Sequence, residues 1–386
     1  MNTNLSSLLC LNQLTLKTRR GILEFLDQGM SALEIRERVL HENLWDSAEK
    51  LKAIHFRFDV QKEMEECERL GIRFFTVLDS GYPELLRKIY HPPLVLYVRG
   101  EIFPEDRHAI AVVGTRHPSF YGIEQTRRFV RDLTQKGLTI VSGLAKGIDH
   151  AAHEAALEIS HGRTIGILGC GPDLIYPPGS ESLYEKIAGC GAVISEYPLG
   201  TQPLAHHFPQ RNRIIAGLSH GVLVVEAHHR SGALITAHEA IEEGRDVFAI
   251  PGPVNQLTSR GTHRLLKEGA YLVESPEDVM EVIAASILMN SVQTPLSPCH
   301  PERNERSQDE LGEESKSETL RSVAPHDDII NEDDQKLLEL LKTKSITSDE
   351  WIEISGMESW KAMIQLTLLE IKKKVIKQSD GTFKLA

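Results

Sequence analysis

Short apolar runs rich in β-branched residues recur through the middle of this chain, and each breaks into a loop of small and basic residues before a helical stretch. Ala109-Ile110-Ala111-Val112-Val113 is too short for a helix and apolar at every position, the pattern of a strand buried on both faces of a parallel sheet. Gly114-Thr115-Arg116 ends it, and a helix is expected to start near Phe120. Leu138-Thr139-Ile140-Val141 repeats the pattern and leads into Ser142-Gly143-Leu144-Ala145-Lys146-Gly147-Ile148-Asp149. From residue 70 to about 285 such strands alternate with amphipathic helices, which specifies an α/β, doubly wound sheet.

The loops point to phosphate. A glycine at 114 permits a tight turn and close approach of a ligand to backbone N–H groups, and the helix beyond offers its positive dipole end. Arg116 adds a charge and a bidentate fork. In the second loop Gly143 and Gly147 flank Lys146, and Asp149 is placed to cap the helix carrying His153 and Ala156. A third basic segment, Phe208-Pro209-Gln210-Arg211-Asn212-Arg213, completes the set. Each loop taken alone also reads as an ordinary strand-to-helix turn with a solvated charge. Neither G-x-G-x-x-G nor G-x-x-x-x-G-K-[ST] occurs, which disfavours a tightly held dinucleotide or nucleoside triphosphate, so no cofactor is expected.

A net charge of -12 excludes a protein that coats nucleic acid with its whole surface, so a nucleic-acid site must be a local basic groove. The five cysteines are scattered and form no C-x-x-C pair, which suggests neither a disulfide framework nor a zinc knuckle and fits a reducing cytoplasm. No uncharged segment approaches the length needed to span a bilayer, and no secretory leader is evident, so the reading is cytoplasmic with no membrane partner. Asp149, His150 and His153 lie within about one helical turn, and His206-His207 and His228-His229 are adjacent pairs. Without partner cysteines at ligand spacing they carry no metal site.

Four parts follow along the chain. Residues 1–65 are helical in pattern, residues 70–285 form the α/β core, and residues 288–330 turn to Pro, Ser, Glu, Asn and Arg, the composition of a disordered linker. Residues 331–386 read as three short helices and a hairpin. Leu337, Leu338, Leu340 and Leu341 line the first helix, Thr347 with Glu350 makes a capping box for the second, which Gly356 closes, and Met363, Leu366 and Leu369 mark the third. Val375-Ile376-Lys377 and Thr382-Phe383-Lys384 pair across Asp380-Gly381. The pattern predicts a winged helix, whose use is DNA binding or protein docking. Lys372-Lys373-Lys374 reads as a solvated helix end.

These residues resemble the family of DNA-processing protein A, also called DprA or Smf. The resemblance runs from Tyr82-Pro83 and Leu86 through Pro92-Pro93-Leu94-Val95-Leu96-Tyr97, Gly100, the Gly-Thr-Arg and Ser-Gly-Leu-Ala loops and Thr164 to Gly171. It continues through Tyr176-Pro177, Ser195-Glu196, Phe208 to Arg213, Glu226-Ala227, Ser231 to Ala237, Gly244-Arg245 and Pro251-Gly252. It implies an extended Rossmann-like core that binds single-stranded DNA, an N-terminal helical domain of the sterile-alpha-motif type and a C-terminal winged helix. It further implies a homodimer without catalysis that protects incoming single strands during natural transformation. Such a protein loads the recombinase RecA and helps it displace the single-strand-binding protein. The DNA site implied by the resemblance contains Gly114, Thr115, Arg116, Ser142, Gly143, Lys146, Phe208, Arg211, Asn212 and Arg213, with Phe208 stacking on a base or packing in the core. Asn212 would cap the helix through Ile214, Ile215 and Leu218.

The sequence departs from the family's pattern at His263, where asparagine is usual, and at Lys373, where glycine is common. Two other functions stay in view. A more distant likeness to Rossmann-like nucleotide hydrolases would need Glu196 and Glu226 to share a crevice, although polar strand ends that cap or pair with arginine are commoner, and the glycine-rich catalytic loop is missing. A protein-interaction module without DNA binding would keep the core pocket as a relic.

Overall fold

In the computed structural model of the protein, residues 3–292 are described, with 332–342, 344–355, 362, 365–366, 369, 374–378 and 382–385 of the remainder. Gly356, Met363, Lys372, Lys373, Asp380 and Gly381, and the expected linker beyond residue 292, lie outside them. The chain forms two compact units, Met1–Ile283 and Ala284–Ala386.

The first unit begins with five helices: α1 (Thr3–Leu11), α2 (Leu16–Asp27), α3 (Ala32–His41), α4 (Ala48–Arg57) and α5 (Val60–Arg69). Thr15 caps α2 by accepting from Thr18 N, and Ser31 with Glu34 forms a capping box on α3, so the short helices start where the sequence places hydroxyls. There follow β1 (Ile72–Thr76), α6 (Glu84–Arg87), β2 (Val95–Gly100), β3 (Ala109–Val113), α7 (Phe120–Gln135), β4 (Thr139–Ser142), α8 (Ile148–Leu157) and β5 (Thr164–Ile167). Then come α9 (Glu181–Cys190), β6 (Ala192–Ser195), α10 (His207–Gly217), β7 (Gly221–Val224), α11 (Gly232–Glu242), β8 (Asp246–Ala249), α12 (Arg260–Lys267), β9 (Tyr271–Leu272) and α13 (Pro276–Val292).

The nine strands form one sheet in the order β1-β2-β6-β5-β4-β3-β7-β8-β9. Strands β6 through β9 run parallel in that order, while β2 is antiparallel to both β1 and β6. Every residue of β3, β4, β5, β6 and β7 is buried, as strands covered by helices on both faces must be. This is the doubly wound α/β core read from the sequence, extended by the antiparallel β1–β2 pair.

The N-terminal helices do not stand apart from it. Leu8, Leu11, Ile22 and Ile35 share one apolar cluster with Leu94, Val95, Leu96 and Ile194 of the sheet. Asn12 fastens the joint, its Oδ1 accepting from Leu94 N (3.0 Å) while its Nδ2 donates to the Glu196 carbonyl (2.9 Å). The helical run extends to Arg69, since α5 keeps its pattern up to the glycine at 71.

The second unit holds α14 (Glu332–Leu341), α15 (Ser348–Ser355) and the antiparallel pair β10 (Val375–Lys377) and β11 (Phe383–Leu385). Thr347 and Glu350 form the expected capping box, with Glu350 N donating to Thr347 Oγ1 (3.2 Å) and Thr347 N to Glu350 Oε2 (2.8 Å). Leu337, Ile346, Trp351, Leu366, Val375 and Phe383 make a small core of its own. Among the described residues no helix is long and apolar enough to cross a membrane.

Candidate nucleic-acid interface

Strands β4 and β7 flank β3 on opposite sides, so the chain reverses its direction of winding at β3 and leaves a crevice at the carboxyl ends of the strands. A cleft of about 570 Å³ occupies that position. Gly114, Thr115 and Arg116 come from the end of β3, Ala145 and Asp149 from the loop after β4, Phe208, Arg211 and Asn212 from α10, and His228, Arg230, Ser231 and Gly232 from the passage between β7 and α11. Arg116 and Arg230 are exposed at this cleft, as is Lys146 on the neighbouring loop.

The first two loops are stitched together. Ile148 N donates to Thr115 O (3.2 Å), and Gly147 (φ +86) lies so close to the Thr115 carbonyl and the Arg116 backbone that a Cβ would overlap both. Gly147 is therefore demanded twice, by its left-handed backbone and by the contact. Gly114 is required by packing, because a Cβ there would meet Ile148 Cγ1 at 2.5 Å. The Thr115 N–H donates to Glu226 O (2.8 Å) across to β7 and so is unavailable to a ligand.

The dipole end of α7, expected to attract an anion, already has one. Glu226 accepts from Ser119 N (2.8 Å) and Ser119 Oγ (2.6 Å) and from Thr258 Oγ1 (3.1 Å), while Ser119 caps the helix by accepting from Gly122 N. Carboxylate at a helix N-terminus is stabilising, and the position is filled. Asp149 likewise does not cap α8, whose cap residue is Gly147. Its Oδ2 accepts from Gly143 N (3.2 Å) and Ala145 N (3.4 Å), folding the loop inward. Burial pushes the Asp149 carboxyl up to about 6, against the pull of the Arg211 and Arg116 guanidiniums and the two backbone donors.

Arg211 is 4% exposed and holds the loops from beneath, donating from Nη1 to Gly143 O (2.8 Å) and Ile167 O. Burial lowers its pKa to about 10, which leaves it charged at neutral pH. Its guanidinium lies 5.9 Å from the centre of the Phe208 ring. Phe208 is half-buried, resting on Gly169 on one side and tilted against Tyr176 at 5.3 Å. Asn212 sits in the middle of α10 and is not its cap; the helix begins at His207, nearly two turns earlier than the sequence reading placed it. The Asn212 side chain instead lines the cleft, and among the described residues it makes no hydrogen bond.

Arg213 departs furthest from expectation. It is 3% exposed and forms a fork with Glu196, Nη1 to Oε1 at 2.9 Å and Nη2 to Oε2 at 2.8 Å, while Arg19 donates to the same Oε2 at 2.6 Å. Burial pushes the Glu196 carboxyl up, but the two guanidiniums outweigh it and hold the group below the usual carboxylate range. Glu196 and Glu226 thus both have structural partners, and neither faces the cleft as a free carboxylate. Ser142 is also turned inward, donating to Val112 O (2.6 Å).

The family described as DNA recombination-mediator protein A matches residues 73–284, more than half of the chain. The chain belongs to this family. Relatives include DNA processing protein DprA of Streptococcus pneumoniae, 49% identical over 210 residues that cover 53% of this chain and 72% of that one. Protein Smf of Synechocystis is 43% identical over 234 residues, covering 60% of this chain and 58% of that protein, so the match spans little more than half of its length. The X-ray structure of DNA processing protein A from S. pneumoniae aligns with a TM-score of 0.63 at 40% identity, covering 71% of this chain and 95% of that one.

Of the ten residues that the DprA resemblance implied, Gly114, Thr115, Arg116, Phe208, Arg211 and Asn212 line the cleft, Lys146 is exposed on a stitched loop, Gly143 and Ser142 lie beneath, and Arg213 points elsewhere. Sequence reasoning missed Arg230 and the Ser231-Gly232 start of α11. The signal was a basic residue in a loop of small residues between an apolar run and a helix, as in the first two loops. At His263 the ring Nε2 donates to Gly252 O (2.9 Å), holding the Pro251-Gly252 turn. His153 is fully buried with its Nδ1 2.7 Å from Thr164 Oγ1, a packing role, and no cluster of three metal-ligating side chains occurs among the described residues.

Proposed function

We propose that this chain binds single-stranded DNA in the cleft at the carboxyl ends of the sheet and serves DNA processing during transformation as a non-catalytic mediator, protecting the strand and passing it to a RecA-type recombinase. The observation that carries this reading is the union of two exposed cations, Arg116 and Arg230, with a half-buried aromatic ring, Phe208, and an unengaged amide, Asn212, around one cleft, and Lys146 exposed on the adjoining loop. Cations on a rigid rim neutralise backbone phosphates without reading sequence, and an aromatic face accepts any base. The family's description as a recombination mediator and the DprA naming of its relatives support the biological part. Recruitment of RecA, displacement of single-strand-binding protein and homodimerisation belong to the same reading. Nucleotide hydrolysis is disfavoured because Glu196 and Glu226 are both held by partners away from the cleft.

The test is fluorescence anisotropy of labelled oligothymidine against duplex of equal length across a salt series. Tight, salt-sensitive binding that prefers the single strand is expected. Arg116→Ala should weaken it and reduce the slope of log affinity on log salt by about 0.7, the value of one phosphate contact on a single strand, with folding intact. Arg213→Ala should instead strip the fork from Glu196, leaving Oε1 without its donor while Arg19 still answers the charge, and cost about 1–3 kcal/mol of stability, read as a lowered denaturant midpoint. Duplex preference, or binding indifferent to Arg116, would refute the reading.

A further inference from the structure

A second cleft, about 610 Å³, lies where the N-terminal helices meet the sheet. Its wall carries Lys17 and Lys50, both exposed, and its floor reaches Arg19 and Glu196. Glu196 is the one acid among its lining residues, and it is already shared by two arginines, Arg19 (2.6 Å) and Arg213 (2.8 Å). The interior beside this cleft therefore holds two cations against one anion. An unbalanced buried charge is costly unless something anionic answers it. Arg19 is 8% exposed; its Nε donates to Leu14 O (3.0 Å) and its Nη1 to Glu196, and Nη2 has no partner among the described residues. A buried guanidinium with a spare donor at the edge of a lysine-lined cleft is the arrangement that takes a phosphate oxygen.

The geometry also ties this cleft to the first. On α10, Phe208, Arg211 and Asn212 share the face that lines the first cleft, while His207 and Gln210, three residues apart, line the second. Tyr197 stacks on His207 at 4.3 Å and gives the second cleft a flat aromatic wall. Pro203 and Ala205 border the first cleft and Thr201 and His206 the second, so one short segment forms the divide.

We propose that this second cleft binds a phosphate group, supplied by the backbone of the same single strand that occupies the first. The choice of strand as the source rests on the function proposed above; the phosphate chemistry does not. A strand crossing the divide would then touch both clefts, and only oligonucleotides long enough to reach would sense the second.

The experiment compares the full chain with a Lys17→Glu/Lys50→Glu variant, whose changes are at exposed positions, on oligothymidines from about 6 to about 20 nucleotides. Expected is unchanged affinity for the shortest strand, a loss of at least about tenfold for the longest, and a salt slope for the longest reduced by about 1.4, or about 0.7 for each lost phosphate contact on single strands. A parallel titration with inorganic phosphate and thymidine monophosphate, followed by the NMR signals of the tyrosine and histidine rings, separates the sources. Saturable binding of those small probes to the unaltered chain but not the variant, with long-strand affinity equal in the two, supports the phosphate site and overturns the strand as its source. Equal affinity at every length with no response to either small probe overturns the proposal entirely. If even the shortest strand fails to bind and Arg116→Ala changes nothing, it is the first cleft's reading that has failed, and the small-probe titration still decides the second.

Discussion

His153 shows how far one buried side chain can commit the molecule to a range of pH. The Thr164 hydroxyl has a single proton, which it donates to Ile140 O (2.8 Å), so the hydrogen bond between Thr164 Oγ1 and His153 Nδ1 must carry the imidazole proton on Nδ1. Nε2 is left bare and without a partner in the core. Burial, with smaller contributions from His150 and Arg211, lowers the His153 pKa from 6.5 to about 3. Between these values the unfolded chain binds the proton and the folded one does not, so stability is full above about pH 6.5 and falls as pH drops toward 3. Urea denaturation across that window should show this decline, and His153→Gln, which cannot titrate, should show a shallower one. Individual residues of this kind were only half legible. The sequence places His153 on a helix packed against the sheet, but the pairing of Thr164 with Ile140 that fixes its tautomer is a contact between two strands. The inward turn of Arg213 was hidden for the same reason, since its partner Glu196 ends another strand and is shared with Arg19, far along the chain.

Among elements, the strand-loop-helix units carried most of what could be read. β3 spans the five residues of its apolar run, and α7 starts at Phe120 where the loop was expected to end, because β-branched runs and serine caps are local signals. What local signals could not show is that the positive end of α7 is occupied by Glu226, more than a hundred residues downstream. Glu226→Ala should remove that carboxylate from Ser119 and Thr258 and destabilise the fold by about 1–2 kcal/mol, as loss of a buried cap does. Thermal unfolding measures the loss, and single-strand affinity of the folded fraction should change little. A large loss of affinity with stability unchanged would instead place Glu226 in the binding site. The cleft itself was legible in its loops and not in its depth. Three basic segments led to the expectation of a phosphate surface, but which arginines reach solvent depends on how α10 is rotated against the sheet, and a helix starting at His207 turns Arg211 and Arg213 into the interior.

At the scale of the whole molecule, the doubly wound sheet followed from alternation of strand and helix patterns. The close union of the N-terminal helices with the β1–β2 side did not, because helical periodicity tells which face is apolar and not what covers it. The cleft draws all of its lining from the first unit. A chain ending after residue 292 should therefore bind oligothymidine within about threefold of the full chain, a difference of about 0.7 kcal/mol. Anisotropy on the two proteins tests this, and a much larger loss would assign part of the strand's grip to the C-terminal unit. The stitched junction at Gly147 bears on the same question of grip. With the Ile148 amide bonded to the Thr115 carbonyl and Gly147 packed beside it, the loops after β3 and β4 are tied to each other at the mouth of the cleft. The distance between these two loops follows the spacing of β3 and β4 within the sheet, so on the function proposed above a strand entering there would meet one wall of fixed gauge, and accommodation would fall to the strand.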